Sequence, residues 1–307
     1  AAARVLQKEI AGISGGPVSM ADIRRGGFAR HASALTLACA TDGNHGRSLA
    51  WGAQRFGARC RIYVHAGVSE GRARAIRAYG AKVVRIKGDY DDAVRQVRQD
   101  AEANGWHVVS DTAWEGYTRT PRDVMAGYGV MSHEINEVLQ QAPTHVVLQG
   151  GVGGLAASVC ASMRQYWGSS APRMIVVEPE HAACLYASAG AGELRSVVID
   201  EETVMAGLSC GEPSALAWSI LRDEVSDYMT IPDSLIGPGM RMLAQPTTDD
   251  PPIAAGESGI AGLVAAIVIA SKPILRSAFG FDRHSRVLLI GSEGITDPEI
   301  YAQIMAG

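Results

Sequence analysis

Hydrophobic and polar residues follow two patterns along the chain, short apolar runs and longer segments with helical spacing. The short runs are ALTLAC, RCRIYVH, AKVVRI, WHVVS, THVVLQ, RMIVVE and SRVLLIG. Between them lie segments such as HGRSLAWGAQRFG, EGRARAIRAYG, YDDAVRQVRQDAEANG and DVMAGYGVMSHEINEVLQQ, which have the spacing of helices and often end at Gly or Asn. The alternation predicts a parallel α/β protein.

Two stretches depart from this alternation because they are rich in turn-forming residues. They are residues 13–31, ISGGPVSMADIRRGGFARH, and residues 245–259, QPTTDDPPIAAGESG. We expect the first to be a linker and the second to be an active-site loop. The longest apolar run, IAGLVAAIVIA, is too short for a membrane span and is followed by Lys272 and Pro273, so it predicts a buried core helix.

The grouping of the strands predicts two domains. Residues 30–128 would form a small α/β domain, and residues 1–29 together with 129–307 would form a larger one. The chain opens in a helical pattern, AAARVLQKEI, without an initiator Met, and we expect the N-terminal part of the larger domain to precede Ala1. Ligands of such sheets bind at the carboxyl ends of the strands, so the turns that follow the strands are where chemistry is expected.

Composition and charge favour a small-molecule partner. Of 307 residues 47% are apolar and 20% are charged, as in ordinary globular proteins, and the formal net charge is -4. Without a basic field, neither nucleic acid nor an anionic membrane is expected as a partner. Five cysteines without a CxxC pair predict reduced thiols in the cytoplasm and no metal site, with a pairing of Cys184 and Cys210 left open.

A glycine loop follows the strand THVVLQ and precedes a helix. Its glycines let the backbone turn sharply and present N–H groups to an anion at the helix N-terminus. The loop consists of Gly150, Gly151, Val152, Gly153 and Gly154. The spacing of Gly151, Gly153 and Ala156 also fits the dinucleotide fingerprint G-x-G-x-x-A, with Glu178 as a ribose-binding acid. The loop therefore predicts an anion site, while a nicotinamide enzyme and a purely structural turn stay open.

A second polar turn, TDGNHG at residues 41–46, also lies between a strand and a helix. Asn44 alone is a candidate helix cap. In chain order with the glycine loop and with Ser292 in GSEG, however, the turn resembles the asparagine loop of fold type II pyridoxal phosphate (PLP) enzymes, the family of tryptophan synthase β, threonine synthase, serine racemase and serine dehydratase. The resemblance implies two doubly wound parallel-sheet domains with the cofactor cleft between them.

The same resemblance implies a role for each motif. Asn44 would bond the ring oxygen of the cofactor, the glycine loop would bind its phosphate, and Ser292 would face the pyridine nitrogen. A neutral hydroxyl at that nitrogen suits elimination better than transamination.

Within this family, further segments resemble diaminopropionate ammonia-lyases. They are ATDGNHG, SDTAWEGY, TVMAGLSCGEPS, DDPPIAAGESG and SEGITDPEIY, which extend from about Leu35 to Tyr301. Such enzymes convert both enantiomers of 2,3-diaminopropionate to pyruvate and two ammonia molecules and are typically homodimers. The resemblance implies that Asp42 is the base for the D-isomer and that Asp111 is its partner near the substrate amines.

Other interpretations of these residues stay open. From the sequence alone, Asp42 is an Asx-turn acid and Asp111 is a strand-end cap. Glu257, Trp114 and Tyr117 are further candidates for the substrate pocket, although an acid in a loop and two aromatic side chains also serve helix termini and packing. For His45 we expect packing or hydrogen bonding within the turn.

The Schiff-base lysine of this family has no counterpart in the sequence. The lysines are Lys8, Lys82, Lys87 and Lys272, and none precedes the asparagine turn in a K-A-x-G-G-like setting. We expect the lysine upstream of Ala1, so the chain as written would be inactive. The leading hypothesis is a PLP-dependent ammonia-lyase. The alternatives are a serine or threonine dehydratase of the same fold, a nicotinamide-dependent oxidoreductase, and a non-catalytic binding protein.

Overall fold

The computed structural model describes residues 1–307 except Asp42, Asp89 and Thr248, and at Asp91 it describes the backbone alone. This part of the chain divides into two compact units. Unit 1 comprises residues 1–111 and 119–124, and unit 2 comprises residues 112–118 and 125–307.

Unit 1 is built on a parallel sheet of four strands with the spatial order β3-β2-β1-β4. The strands are Thr36–Ala40 (β1), Arg59–Val64 (β2), Lys82–Arg85 (β3) and His107–Val108 (β4). The helices are Ala2–Ser14 (α1), Met20–Arg24 (α2), Ala29–Ala34 (α3), Asn44–Phe56 (α4), Glu70–Arg77 (α5) and Tyr90–Asn104 (α6), and Arg119–Val138 (α7) contributes residues to both units.

Alternate residues of β1 pack on opposite faces of the sheet, as the two-residue period of a strand requires. Leu37 and Cys39 join an apolar cluster that contains Leu6 of α1 and Leu49 of α4. Ala38 and Ala40 face a second cluster, to which α6 contributes Ala93 and Val97. Because both faces are covered, residues 37–40 of β1 form a continuous apolar run.

Two predictions for the N-terminal region differ from the structure. Residues 1–29, predicted to belong to the larger domain, are part of unit 1, and Leu6 and Ile10 are fully buried in its apolar core. Residues 13–31 are not a linker, because they contain α2 and the start of α3. The Ser19 hydroxyl accepts a hydrogen bond from the N–H of Asp22 and caps α2.

Unit 2 contains a second parallel sheet of four strands, with the spatial order β7-β6-β5-β8. The strands are His145–Gln149 (β5), Arg173–Pro179 (β6), Asp227–Ile231 (β7) and Val287–Leu289 (β8). The remaining helices are Gly154–Trp167 (α8), Cys184–Ala191 (α9), Ala215–Glu224 (α10), Ile236–Ala244 (α11), Ala261–Ser271 (α12), Pro273–Phe279 (α13) and Pro298–Ala306 (α14).

The helices of unit 2 cover both faces of its sheet. Val146 and Leu148 of β5 share a cluster with α8 and α10, whereas Val147 packs in a cluster with α12. The prediction of a buried helix at α12 is confirmed. Among the described residues no single helix can cross a membrane, and only the bent pair α12 and α13, at 111°, has the necessary combined length and composition. Two parallel sheets flanked by helices confirm the predicted α/β class.

Candidate functional site

The glycine loop of unit 2 lies between β5 and α8 and leaves no room for side chains at two of its glycines. A Cβ atom on Gly150 would lie 2.8 Å from Cγ1 of Val176 and 3.0 Å from Cγ of Glu178. Gly153 has a φ of +94°, and a Cβ there would lie 2.9 Å from Cδ1 of Leu221. Glycine is therefore required at both positions.

The loop ends at the N-terminus of α8, a helix of 14 residues without a side-chain cap. The first N–H groups of a helix have no acceptor within it, and the helix dipole adds positive potential at the same point. A turn in which side chains are excluded and backbone N–H groups are presented fits an anion such as a phosphate.

Ser214 connects the glycine loop to residues 112–118, a second segment of unit 2. The N–H of Ser214 donates to the carbonyl of Val152 over 2.9 Å, and the Ser214 hydroxyl accepts a hydrogen bond from the N–H of Ala113 over 3.0 Å. Trp114 and Tyr117 follow in the same segment and stack with ring centroids 4.1 Å apart. Their predicted place in a substrate pocket stays a prediction.

Ser292 lies in the turn after β8. Its hydroxyl oxygen accepts a hydrogen bond from Nε2 of Gln149, which also donates to the carbonyl of Ile290 over 2.9 Å. Ser292 is exposed, whereas Gln149 is 3% exposed. Ser292, which is predicted to face the cofactor ring, is thus held by a buried side chain from the end of β5.

Glu293 joins the Ser292 turn to the loop that contains Glu257. Its buried Oε2 accepts hydrogen bonds from the N–H groups of Ser258, over 2.7 Å, and Gly259, over 3.3 Å. A Cβ on Gly256 would lie 2.7 Å from Cγ of Glu293, so the two segments are in close contact. Glu257 itself is 2% exposed.

The asparagine turn of unit 1 is organised by Thr41. The Thr41 hydroxyl accepts hydrogen bonds from the N–H groups of Gly43, over 3.1 Å, and Gly46, over 3.2 Å. Asn44 is the first residue of α4, so Thr41 has the capping role that the sequence suggested for Asn44. Asp42, the predicted base, lies outside the described residues.

His45 connects this turn to the segment that carries Asp111. Its Nε2 lies 2.7 Å from the carbonyl oxygen of Val109 and donates to it, because a carbonyl can only accept. Two residues further along, Oδ1 of Asp111 is buried and has no hydrogen-bond partner among the described residues. A buried carboxylate oxygen without a donor is unfavourable, so this oxygen is suited to a cationic or N–H-bearing ligand.

Comparison with known proteins identifies the family. The model of the family described as pyridoxal-phosphate dependent enzyme matches residues 16–291. The chain belongs to the pyridoxal-phosphate-dependent enzymes. It is 39% identical over 277 residues to diaminopropionate ammonia-lyase of Escherichia coli strain K12, a match that covers 88% of this chain and 70% of the relative.

Two further similarities bear on the substrate. A probable D-serine dehydratase of Pseudomonas aeruginosa strain PAO1 is 28% identical over 253 residues, covering 76% of this chain and 53% of the relative. The crystal structure of E. coli diaminopropionate ammonia-lyase in complex with D-serine superimposes with a TM-score of 0.88 at 35% identity, covering 99% of this chain and 76% of that chain. Fold type II is confirmed by these relatives.

The structure contradicts the role considered for Glu178 in a nicotinamide enzyme. Its Oε1 accepts a hydrogen bond from the N–H of Leu185 over 2.9 Å and its Oε2 accepts one from the N–H of Tyr186 over 2.6 Å, so Glu178 caps α9. Burial raises the pKa of this carboxyl to about 8. Since both oxygens are occupied and the side chain is fully buried, Glu178 is not available to bind a ribose.

The thiols show a similar packing role. All five cysteines are buried and none of them forms a disulfide, so the possible Cys184–Cys210 disulfide is not present. The Cys184 thiol donates weakly to the carbonyl of Gly151 over 3.7 Å, beneath the glycine loop. Among the described residues no cluster of His, Cys, Asp and Glu is suited to a metal ion.

The residues present fit PLP within each unit. In unit 2 the glycine loop is a backbone cradle for the phosphate, and Ser292 presents a hydroxyl. In unit 1 Asn44 begins α4 and Asp111 has a buried oxygen without a partner in the described chain. Sequence reasoning did not find Thr41, Gln149 and Glu293, which support these groups. Thr41 and Glu293 are sequence neighbours of predicted site residues. Gln149 is a polar residue at the end of an otherwise apolar run, and this pattern in the sequence could have indicated it.

Proposed function

We propose that the protein is a PLP-dependent ammonia-lyase that converts D- and L-2,3-diaminopropionate to pyruvate and two ammonia molecules by α,β-elimination. The observation that carries the proposal is the 39% identity to the E. coli ammonia-lyase over 88% of the chain. The net reaction consumes one water molecule, and the two nitrogen atoms of the substrate leave as ammonia.

The cofactor-binding residues are assigned by the resemblance and supported by the local structure. The N–H groups of the loop from Gly150 to Gly154 would bind the phosphate, and Ser292 would donate a hydrogen bond to the pyridine nitrogen. Asn44 would donate to the ring oxygen. When bound, PLP supplies an electron sink for the electron pair left at the α-carbon after its proton is removed.

Asp111 is the acid for which the structure gives the clearest support. The 3-amino group of diaminopropionate is a cation at neutral pH, and it would supply the donor that Oδ1 of Asp111 lacks among the described residues. Asp42 is the proposed base that removes the α-proton of the D-isomer. Glu257, Trp114 and Tyr117 are proposed to line the substrate site.

Dehydration of serine is the second candidate function. It is supported by the probable D-serine dehydratase at 28% identity and by the D-serine complex of the E. coli enzyme. Serine has a neutral hydroxyl where diaminopropionate has a cationic amine, so a carboxylate partner favours the diamine.

Product stoichiometry tests the proposal. The protein expressed from its complete reading frame and loaded with PLP should release two ammonium ions for each pyruvate from either enantiomer of diaminopropionate, whereas serine can release only one. Turnover of serine alone would favour the dehydratase. If neither substrate reacts and borohydride fixes no cofactor to a lysine, the protein would be a binding protein without catalytic activity.

We also propose how the protein assembles and where it is located. A homodimer is proposed from the family resemblance, and light scattering of the purified protein tests it. A cytoplasmic location is proposed because five cysteines without a CxxC pair fit a reducing compartment.

A further inference from the structure

Gln149 is a buried polar side chain at the end of an apolar strand. It completes β5, whose other residues are His145, Val146, Val147 and Leu148, and it is 3% exposed. Its Oε1 has no hydrogen-bond partner among the described residues, which is costly in a buried amide. A methionine or leucine would fill similar space without that cost. The amide therefore has a role other than packing.

The nitrogen end of this amide makes two hydrogen bonds. Nε2 donates to the carbonyl of Ile290 over 2.9 Å and to the hydroxyl oxygen of Ser292 over 2.5 Å. The carbonyl of Ile290 can only accept, which places the NH₂ group and not Oε1 on this side of the amide. Both donors of Gln149 are therefore used at the turn after β8.

This arrangement determines the direction of the hydrogen bonds that the Ser292 hydroxyl makes. An amide NH₂ cannot accept a hydrogen bond, so the oxygen of Ser292 must accept from it. The hydroxyl hydrogen of Ser292 then points elsewhere, and no described residue accepts it. Since Ser292 is exposed, this hydrogen is available to a ligand atom that accepts a hydrogen bond.

We propose that Gln149 is a positioning residue that fixes Ser292 as a hydrogen-bond donor toward the pyridine nitrogen of PLP, so that this nitrogen is held as an unprotonated acceptor. The inference rests on the proposed function, because it requires a PLP-type cofactor whose ring nitrogen meets Ser292. It goes beyond it by assigning the direction of that hydrogen bond to a residue on a different strand.

Gln149→Glu replaces the group that donates a hydrogen bond to Ser292 by a group that accepts one, with little change in side-chain volume. A carboxylate oxygen in the place of Nε2 accepts the hydrogen of Ser292. If that oxygen carries a proton, its O–H donates to the carbonyl of Ile290 and the same oxygen still accepts from Ser292 through a lone pair. In either state the hydroxyl hydrogen is turned away from the ligand. Gln149→Met removes the donor without adding an acceptor and serves as a second variant if Gln149→Glu does not fold.

The experiment uses pyridoxamine 5'-phosphate labelled with ¹⁵N in the ring, because this probe binds without a Schiff base. We expect the ring-nitrogen resonance of the bound probe to move downfield in Gln149→Glu, toward the position of a pyridine nitrogen without a hydrogen bond. Loss of one hydrogen bond should also weaken binding by about five- to tenfold. Gln149→Met should give a smaller shift in the same direction.

Two controls separate positioning from general damage. In the Ser292→Ala background, Gln149→Glu should produce no further shift, since the hydroxyl through which it acts is gone. Gln140→Glu makes the same chemical change at an exposed residue of unit 2 and should leave the resonance unchanged.

The outcomes are distinct. An unchanged ¹⁵N resonance in folded Gln149→Glu and Gln149→Met protein, with the probe bound, would overturn the inference and leave the proposed function intact. An equal shift in the Ser292→Ala background would overturn it as well. If the wild-type protein does not bind pyridoxamine 5'-phosphate saturably, the proposed function fails and the inference fails with it.

Discussion

The turn that carries Asn44 in unit 1 and the loops of unit 2 are stabilised in different ways. In unit 1, Thr41 caps α4 from within the turn, and His45 donates to a carbonyl at the end of the neighbouring strand. In unit 2, buried side chains link loops that are far apart in sequence. Gln149 reaches the turn of Ser292, 143 residues away, and Glu293 reaches Ser258, 35 residues away.

From this difference we infer that, in the proposed enzyme, unit 2 mainly holds the cofactor and Asp111 of unit 1 binds the substrate. The groups assigned to the phosphate and the ring nitrogen lie on a network of buried polar side chains, which keeps them fixed. The asparagine turn depends on short-range hydrogen bonds, and the acid attributed to substrate binding, Asp111, has an oxygen without a partner in the described chain. Changes in unit 2 should therefore affect cofactor binding and stability, whereas changes at Asp111 should affect turnover.

The largest effect is expected at Asp111. Asp111→Asn removes the charge that would hold the 3-amino group, and it should lower kcat/KM for diaminopropionate by roughly 10²- to 10⁴-fold while cofactor affinity stays near that of the wild type. Asp123→Asn is the matched control in unit 1, because Asp123 is not among the proposed site residues and forms an ion pair with the exposed side chain of Arg4 at 3.8 Å. A normal kcat/KM for Asp111→Asn would remove Asp111 from the site.

The glycine loop should show a loss of both stability and phosphate binding. Gly153→Ala places a Cβ 2.9 Å from Cδ1 of Leu221 at a φ of +94°, and we expect a destabilisation of about 2 to 4 kcal/mol in urea unfolding. Gly57→Ala has a φ of +79° but open space around its Cβ, so only the backbone cost of about 1 kcal/mol should remain. Affinity for pyridoxamine 5'-phosphate should fall in Gly153→Ala alone, and equal affinities in both variants would contradict the phosphate assignment.

Glu178 should make stability depend on pH. Burial raises the pKa of its carboxyl from 4.5 to about 8 in the folded protein, so between these values the folded state holds a proton that the unfolded chain has released. The contribution of Glu178 to stability is complete below pH 4.5 and declines as the pH rises toward 8, by up to about 1.4 kcal/mol per pH unit.

Two glutamate-to-glutamine variants test whether Glu178 causes the predicted decline of stability with rising pH. Glu178→Gln should flatten that part of the stability profile, while Glu180→Gln, at an exposed residue two positions further on, should not. Denaturant unfolding from pH 5 to pH 8.5 measures both. A slope of opposite sign in the wild type, or an unchanged slope in Glu178→Gln, would show that the carboxyl is ionised in the folded state.

The smallest effect is expected at Thr41. Thr41→Val keeps the side-chain shape but removes the oxygen that accepts from Gly43 and Gly46, and loss of such a cap costs about 1 kcal/mol. Because these hydrogen bonds are local to unit 1, Thr41→Val should lower the affinity for pyridoxamine 5'-phosphate less than Gly153→Ala does. A change in stability below the error of urea unfolding would mean that the turn does not depend on the Thr41 cap.

The sequence predicted the strands that are buried on both faces. The runs ALTLAC and THVVLQ became β1 and β5 because the central residues of a strand that is buried on both faces are apolar. β7 was missed, since Asp227, Tyr228, Met229 and Thr230 are only half-buried and the segment DYMTI has no apolar run. Residues 13–31 were taken for a linker because their glycines obscured two short helices.

The supporting residues of the site were harder to predict. The structure does not describe Asp42, and the assigned roles of Asn44, Ser292 and Asp111 stay predictions from family motifs. Gln149, Glu293 and Thr41 support them through hydrogen bonds that depend on the folded chain, two of them over long sequence separations. Glu178 matched a fingerprint, but the N–H groups at the start of α9, which occupy its oxygens, are visible only in three dimensions.

The ratio of kcat/KM for diaminopropionate to that for D-serine, determined with the same PLP-loaded protein, distinguishes an ammonia-lyase from a serine dehydratase. We predict a ratio well above one, which should fall toward one in Asp111→Asn because the variant loses its partner for the cationic amine. A ratio below one in the wild type, unchanged by Asp111→Asn, would show that Asp111 does not select the diamine and would identify the protein as a serine dehydratase.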